Sequence, residues 1–480
     1  MATKDDVLYG AARVDITPEL GTHLAGDGTG RKRPAREILD RLYATAAVFE
    51  SGGRRICIIS LDLTVVMEPW SRQIRQAAAK ALGIEPSAVL LCATQTHSSP
   101  GMGAFMLPTD FPIEGGPEVE YLRGTEERYT QFVIPRVIET AIQAGRNLRP
   151  VEVGFGRGML GDFAFNRRGI LRDGTGVAMP HPSKTRDYPL GPTKVCCLEG
   201  PIDPEVGVMG IRADGQLQGL FLHHTCHPVI LFDEPHSSSR YSVSADWCGA
   251  WRTEMIERTG AECVPLVLNG ACGNINPWHP FDPNFQSDHV RMGKALADMT
   301  DEILSRMQYA SGGVVNHISQ IVSLPYRDIP PERAAKVRQI LSEHPTPLWR
   351  KDGSGIEHEW FRAASTRCVE IDKQKSPTFD YEIQVFRIDD LAVIGLPGEP
   401  FVEGQLAIKA HSPAKYVQIA HMASHYIGYI PTRDAAARDG HESNSDVTYW
   451  AKLAPGSMET IVETARGMVD QLFSLTPDAG

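Results

Sequence analysis

Leu90-Leu91-Cys92-Ala93-Thr94-Gln95-Thr96-His97-Ser98-Ser99-Pro100 begins as an apolar run and ends in small polar residues around one histidine. Such a run, stopped by Ser-Ser-Pro, reads as a buried strand that delivers side chains into a cleft at its C-terminal end. Open α/β sheets place ligands at such strand ends. Just upstream, residues 55–63 form a second strand, too apolar for a sheet with one wet face, which implies cover on both faces. Between the two, Ser71 opens a helix that closes at Gly83, with Ile74, Ala78, Ala81 and Leu82 on one side. Strand, helix and strand make a β-α-β pattern and point to layered α/β architecture.

Working outward, residues 11–18 read as a strand stopped by Pro18, and residues 151–159 as another. Thr125 starts a helix that reaches about Gly145, with Pro135 as a kink. Residues 206–230 read as a hairpin turning at Asp214-Gly215, and its second strand runs out in His223-His224-Thr225-Cys226-His227-Pro228. Ser244 caps a helix through Arg258, and the buried strand at 263–268 runs into Asn269-Gly270-Ala271-Cys272-Gly273-Asn274-Ile275-Asn276-Pro277. Helices are expected at 287–307, 330–344 and 356–373, with a strand at 314–324. A second hairpin at 381–395 turns at Asp389-Asp390, ends in Pro397-Gly398-Glu399-Pro400 and leads into a helix. Residues 416–430 read as the last strand, and a strictly amphipathic helix follows from Ser457. The Gly/Pro-rich segments near 101–124 and 163–192 read as long loop insertions in one domain over 1–480.

Composition bounds the function. A formal net charge of −11 argues against a nucleic-acid surface, which needs a basic face. The opening Met-Ala-Thr-Lys-Asp-Asp lacks the apolar core of a signal peptide, and no run approaches a membrane span. A cytoplasmic protein without nucleic-acid or membrane partners is expected; a homo-oligomer is compatible with the sequence. The nine cysteines include no Cys-x-x-Cys pair, so a thiolate zinc site is not expected.

His97, His227, Glu399 and Tyr429 each end an apolar run. They are the residue types of a metal-hydrolase centre, which needs a few N/O ligands and an open position for water. Singly, each has a plainer explanation. A histidine at a strand end is more often a hydrogen-bonding residue. Glu399 suits the first turn of a helix, and Tyr429 suits a core. His224 and His227 have a metal-like spacing, but on one strand they would point to opposite faces.

Taken together, the pieces resemble the catalytic domain of the neutral/alkaline, non-lysosomal ceramidases. The matching stretches are Ala12-Arg13-Val14-Asp15-Ile16-Thr17-Pro18, Ala93-Thr94-Gln95-Thr96-His97-Ser98-Ser99-Pro100, Asn166-Arg167, His227-Pro228, Gly273-Asn274-Ile275-Asn276-Pro277, Pro397-Gly398-Glu399 and Tyr426-Ile427-Gly428-Tyr429-Ile430-Pro431-Thr432. They occur in family order across nearly the whole chain. The family's C-terminal immunoglobulin-like domain has no counterpart. The resemblance implies a mixed-sheet α/β domain and zinc bound by His227, Glu399 and Tyr429. His97 would lie near the metal as an orienting or proton-shuttling group, with a place as ligand open to it. Arg167 would contact the substrate or its developing charge.

Two positions depart from the family. The first histidine of its Thr-His-Thr-His-Ser-Gly-Pro motif, a zinc ligand, is Gln95 here, and the serine of its Ser-Pro-Asn stretch is Asn276. An amide oxygen is a weak ligand for zinc. Three outcomes stay open: zinc retained with His97 or His224 moving in, a weaker or different ion, or a metal-free cleft using Glu399, His97, His227 and Asp246 as acid/base groups. The resulting expectation is a zinc-dependent hydrolase of amide or ester bonds in a soluble small molecule. His97, Arg167, Asn276 and Asp246 would take part in catalysis, and Gln95, Arg167 and His224 would bind substrate. The alternatives are a glycosidase or lactonase on the same fold, with Trp247, Trp278 or Trp450 stacking on a sugar, and a non-catalytic ligand-binding protein.

Overall fold

The computed structural model describes residues 5–474, apart from 109, 115, 125, 180–193, 234–237 and 283. Its frame is a nine-stranded mixed sheet. In chain order its elements are β1 (Val7–Asp15), β2 (Tyr43–Ser51), β3 (Arg54–Leu61), α1 (Trp70–Leu82), β4 (Val89–Ala93), α2 (Glu127–Arg146) and β5 (Arg149–Met159). There follow β6 (Glu205–Ala213), β7 (Gln216–His224), α3 (Asp246–Thr259), β8 (Val264–Asn269) and α4 (His289–Arg306). The strand order is β8-β7-β6-β5-β1-β2-β3-β4, with Tyr309–Ser311 added beside β5. A second sheet is built from β9 (Val315–Pro325), β10 (Thr378–Ile388), β11 (Leu391–Gly395) and β12 (Tyr416–Ala420), in that order. Helices α5 (Val402–Ala410) and α6 (Ser457–Ser474) cover its outer face.

Period-two alternation explains the layering. On β3, Cys57, Ile59 and Leu61 pack under α1 and α2, while Ile56 and Ile58 face the second sheet. On β4, Val89, Leu91 and Ala93 take the helical side and Leu90 and Cys92 the inter-sheet side. The inter-sheet core gathers Phe49, Phe221, Leu266, Leu268, Phe386 and Val393. Over β6–β8 the other face is closed by α3 and α4 through Trp247, Trp251, Met292 and Leu296. Both faces of the large sheet are thus covered, as the apolar run at 55–63 requires.

Most strand pairs are antiparallel, but β3/β4, β7/β8 and β11/β12 are parallel. Parallel neighbours need a crossover, and α1, α3 and α5 lie in those three connections. These three parallel pairs point their C-terminal ends at one region, and this convergence builds the site.

Three expectations need correcting. Residues 416–430 are not one strand: β12 stops at Ala420, and Tyr429–Ile430 is a separate two-residue strand. The backbone between them is drawn off to other partners, with His421 N donating to Asn269 O, Ser424 N to Leu91 O and Tyr426 N to Val66 O. The segment at 163–192 opens with ordered strands, Phe165–Asn166, Arg168–Leu171 and Gly176–Ala178, the last two in a small sheet with Val195–Leu198; its residues 180–192 lie outside the described ones. The central strand β2 is absent from the sequence expectations, because Ala44, Ala46 and Ala47 give it weak strand character. Its signal was the Gly52-Gly53 hairpin turn, where both glycines have positive φ. Among the described residues no helix is long and apolar enough to cross a membrane.

Candidate functional site

The loops after β4, β7, β8, β11 and β12 deliver His97, His227, Asn276, Glu399 and Tyr429 respectively. They converge at a cavity of about 560 Å³; His97, Asn276 and Tyr429 line it with Arg167, and the buried His227 and Glu399 lie behind that lining. Glu399 and Tyr429 are ladder partners in a short parallel pair, which sets their side chains on the same face. The turn before Glu399 depends on glycine. Gly398 has φ +74, and a Cβ there would sit 2.6 Å from the Gly428 carbonyl.

His227 is fully buried, with its Nδ1 3.1 Å from the Ile275 carbonyl and its Nε2 3.0 Å from Glu399 Oε2. The carbonyl can only accept, so Nδ1 carries the proton and Nε2 presents a lone pair to the carboxyl. Two lone pairs 3.0 Å apart require a proton or a cation between them. Burial, and then Arg167, lower the His227 pKa to about 3. Burial raises that of Glu399, partly countered by Gln95 and Arg167. Burial also pushes the Tyr429 phenol well up, with Glu399 adding to the shift.

Arg167 is held from several sides. Its Nε donates to Glu442 Oε1 at 2.8 Å, Nη1 to Asn276 Oδ1 at 3.3 Å and Nη2 to the Gly273 carbonyl at 2.7 Å. Its guanidinium carbon lies 5.3 Å from the Tyr429 ring centroid. Burial opposes its charge, but Tyr429, Glu442 and Glu399 outweigh this and hold it protonated. Glu442 also binds Arg168 Nη1 at 2.5 Å, and Arg168 pairs in turn with Glu199. Burial would raise the Glu442 pKa, yet the two arginines bring it down to about 2. Because Asn276 Oδ1 is taken by Arg167, its Nδ2 is the group left to donate into the cavity.

His97 Nδ1 lies 2.9 Å from the Gly26 carbonyl, so Nδ1 donates and Nε2 is an acceptor, with no hydrogen-bond partner among the described residues. Gly26 has φ +94, and its built Cβ would lie 3.0 Å from the His97 ring, so glycine allows this approach. Burial, followed by His227, lowers the His97 pKa to about 3. Beneath it the Cys272 thiol donates to Gln95 Oε1 at 3.7 Å and lies 3.6 Å from His421 Nδ1. The Gln95 amide oxygen is therefore turned to the thiol, and its NH2 end faces the Glu399 carboxyl and favours the charged form.

Besides His227, Glu399 and Gln95, two further expected site residues stand outside the cavity lining. His224 is fully buried, its Nδ1 3.3 Å from the Glu205 carbonyl and its ring edge-on to Trp247. Asp246 is spent on backbone, accepting from Trp247 N at 2.8 Å and Leu231 N at 3.2 Å, and burial raises its pKa to about 6. Gln95 lies behind the wall rather than in it. Of the tryptophans, Trp278 and Trp450 line the cavity and Trp247 is core.

Sequence reasoning missed the mouth and the second layer. Asp27, Arg31, Arg240 and His441 line the cavity, and Glu442 anchors Arg167. Arg31 sits in a loop and Arg240 in a four-residue 3-10 turn, Ser238–Tyr241, with no apolar run to mark them. The signal that was available is Gly440-His441-Glu442-Ser443, a polar burst shortly after Tyr429.

The donor set has a definite size. Among the described residues no group of three or more His, Cys, Asp or Glu is disposed to hold a metal ion. His227 and Glu399 supply two donors at the spacing of neighbouring ligands, and the Tyr429 phenol on the same face is a third. Gln95, with its oxygen turned away, is not a fourth. These residues fit a three-donor zinc centre with an open position and do not fit a four-donor one.

No family model matches the sequence. The structure is similar to that of neutral ceramidase from Pseudomonas aeruginosa, with a TM-score of 0.70 and 19% identity over 99% of this chain and 76% of that one. It is also similar to a ceramidase complexed with C2, with a TM-score of 0.68, 18% identity and the same coverage. The mixed α/β architecture implied by the motifs is the neutral ceramidase fold.

Proposed function

We propose that this chain, built on the neutral ceramidase fold, is a hydrolase that cleaves a non-peptide amide bond in a small molecule. The observation that carries this reading is the buried His227–Glu399 contact behind a cavity lined by His97, Arg167, Asn276 and Tyr429. Support also comes from the two structural neighbours, which are ceramidases.

His227, Glu399 and Tyr429 are the residues that would hold zinc. When bound, the metal polarises the carbonyl and supplies a water of lowered pKa. The rest falls to the chain itself. Asn276 Nδ2 orients the scissile carbonyl. Arg167, kept charged by Glu442, stabilises negative charge at Tyr429 and on the tetrahedral oxygen. His97 Nε2 takes a proton from the attacking water and returns it to the departing nitrogen. The bound water and substrate replace the missing partner of that nitrogen.

A metal-free reading has its own observation. A proton also satisfies the facing lone pairs of His227 and Glu399, and burial favours protonated Glu399. Glu399 would then act as general acid, which suits a glycosidase or lactonase.

The test is metal analysis of purified protein with a panel of amides, esters, lactones and glycosides. Stoichiometric zinc, lost in His227→Ala and Glu399→Ala, together with amide cleavage, is the expected result. Amide turnover by thoroughly metal-free protein overturns the zinc centre. Cleavage of glycosides or lactones alone overturns the amidase.

A further inference from the structure

We propose that the molecule this cavity receives carries a carboxylate, seated on Arg240 and Arg31 at the mouth, opposite the reactive floor. The inference rests on the amidase reading only for the bond that is cut.

The charge distribution argues for it. The chain as a whole carries −11, yet the lining holds Arg31, Arg167 and Arg240 against one carboxylate, Asp27. A positive cavity in an acidic protein draws anions inward.

The arginines are not equivalent. Arg167 is committed, with donors on Glu442, Asn276 and Gly273. Arg240 is not. Its ion pair with Asp27 is long, 3.5 Å from Nη2 to Oδ2, while Asp27 Oδ1 accepts from Thr29 N at 2.7 Å and Thr29 Oγ1 at 2.5 Å. Arg240 is held mainly by stacking, its guanidinium carbon 4.5 Å from the Phe232 ring centroid. Arg33 lies at the same 4.5 Å from that ring, so Phe232 carries two guanidinium groups. Stacking fixes the plane of Arg240 and leaves its edge N–H donors for a planar anion. Arg31 is exposed and lines the same cavity.

The remaining wall is apolar, with Phe105, Met179, Trp278 and Trp450. A ligand matching both halves has a carboxylate on one arm and an apolar or aromatic group on the other. The class is the N-acyl amino acids. Water adds across the amide, the C–N bond breaks, and the products are a carboxylate and an amino acid bearing the transferred proton.

Trp278 and Trp450 give a binding signal independent of turnover. The full-length protein is titrated, by tryptophan fluorescence, with N-acetyl-, N-benzoyl- and N-octanoylglycine and with the matching neutral glycinamides. At least one acid should bind about tenfold more tightly than its amide, a difference of one charge-assisted contact. Arg240→Met, which keeps an apolar stem on Phe232, should remove that preference and leave amide binding in place; Arg31→Met should reduce it. Equal binding of each acid and its amide, equal loss of both in Arg240→Met, or no binding of any pair overturns the proposal. Charge-selective binding without hydrolysis removes the amidase and leaves the anion seat standing. Hydrolysis without charge preference does the reverse.

Discussion

Arg167 and Glu442, 275 positions apart in sequence, meet at 2.8 Å in the wall of the site, and Glu442 reaches Arg168 with its other oxygen. All three side chains are buried or nearly so. Glu442→Gln leaves the buried Arg167 without its carboxylate partner and Arg168 with Glu199 alone. Breaking a buried pair from one side costs about 3–5 kcal/mol. Chemical denaturation should show a loss of that order, and a loss below about 1 kcal/mol would contradict the network's structural weight.

His97→Ala removes an unpartnered imidazole lone pair at the cavity lining, on a ring edge-on to His227. The expected effect is a fall in kcat of about 10²–10⁴-fold with KM little changed. A rise in KM at constant kcat would make His97 a binding residue and not a proton carrier.

Gln95→His adds an imidazole next to His227 and Glu399. Zinc affinity, measured by calorimetry against a competing chelator, should rise at least about tenfold, the effect that even a ligand's supporting partners carry. Unchanged affinity would show that the residues of this wall are not disposed around a cation.

Much of this arrangement was legible in the sequence, and the limits have physical causes. His97, His227, Glu399 and Tyr429 were found because each follows an apolar run, and strand ends are where an α/β sheet exposes its ligands. His224 was misplaced because it belongs to β7 itself, where its backbone position fixes it in the core against Trp247. Asp246 looked catalytic, but its oxygens serve backbone N–H groups around the start of α3. Glu442 and Arg240 were invisible because irregular segments carry no periodicity. Strand β2 was missed because three alanines can fill a strand between two others without advertising it.

Acid should unfold the protein early. Burial lowers the pKa of His23, His97, His223, His227, His421 and His425 from 6.5 to about 3. Below pH 6.5 the unfolded chain takes up protons that the folded one refuses, so stability falls as pH drops from 6.5 toward 3. Glu442, lowered from 4.5 to about 2, adds loss in the same direction between those values. The contribution of these histidines to the melting temperature should be constant above about pH 7 and decline below about 6.5. A profile level down to about pH 4.5 would show these imidazoles to be hydrated.

Lys452 is buried with its Nζ 3.3 Å from the Tyr449 ring centroid and no hydrogen-bond partner among the described residues. Burial lowers its pKa from 10.5 to about 7. Below pH 10.5 the unfolded chain binds the proton while the folded chain resists it, so the penalty grows as pH falls from 10.5 to about 7 and then levels. Lys452→Met should stabilise the protein by about 1–2 kcal/mol near neutrality and by less at high pH, read from melting temperatures. Destabilisation at neutral pH would show the amine–ring contact to be worth more than its burial costs.

The groups proposed to cut the bond follow the ends of parallel strands, whereas Gly26, Asp27 and Arg31 belong to the long connection between β1 and β2. That connection can be rewritten without disturbing any strand register. Lineages carrying this fold are thus free to exchange one diet for another while inheriting the same cutting tool.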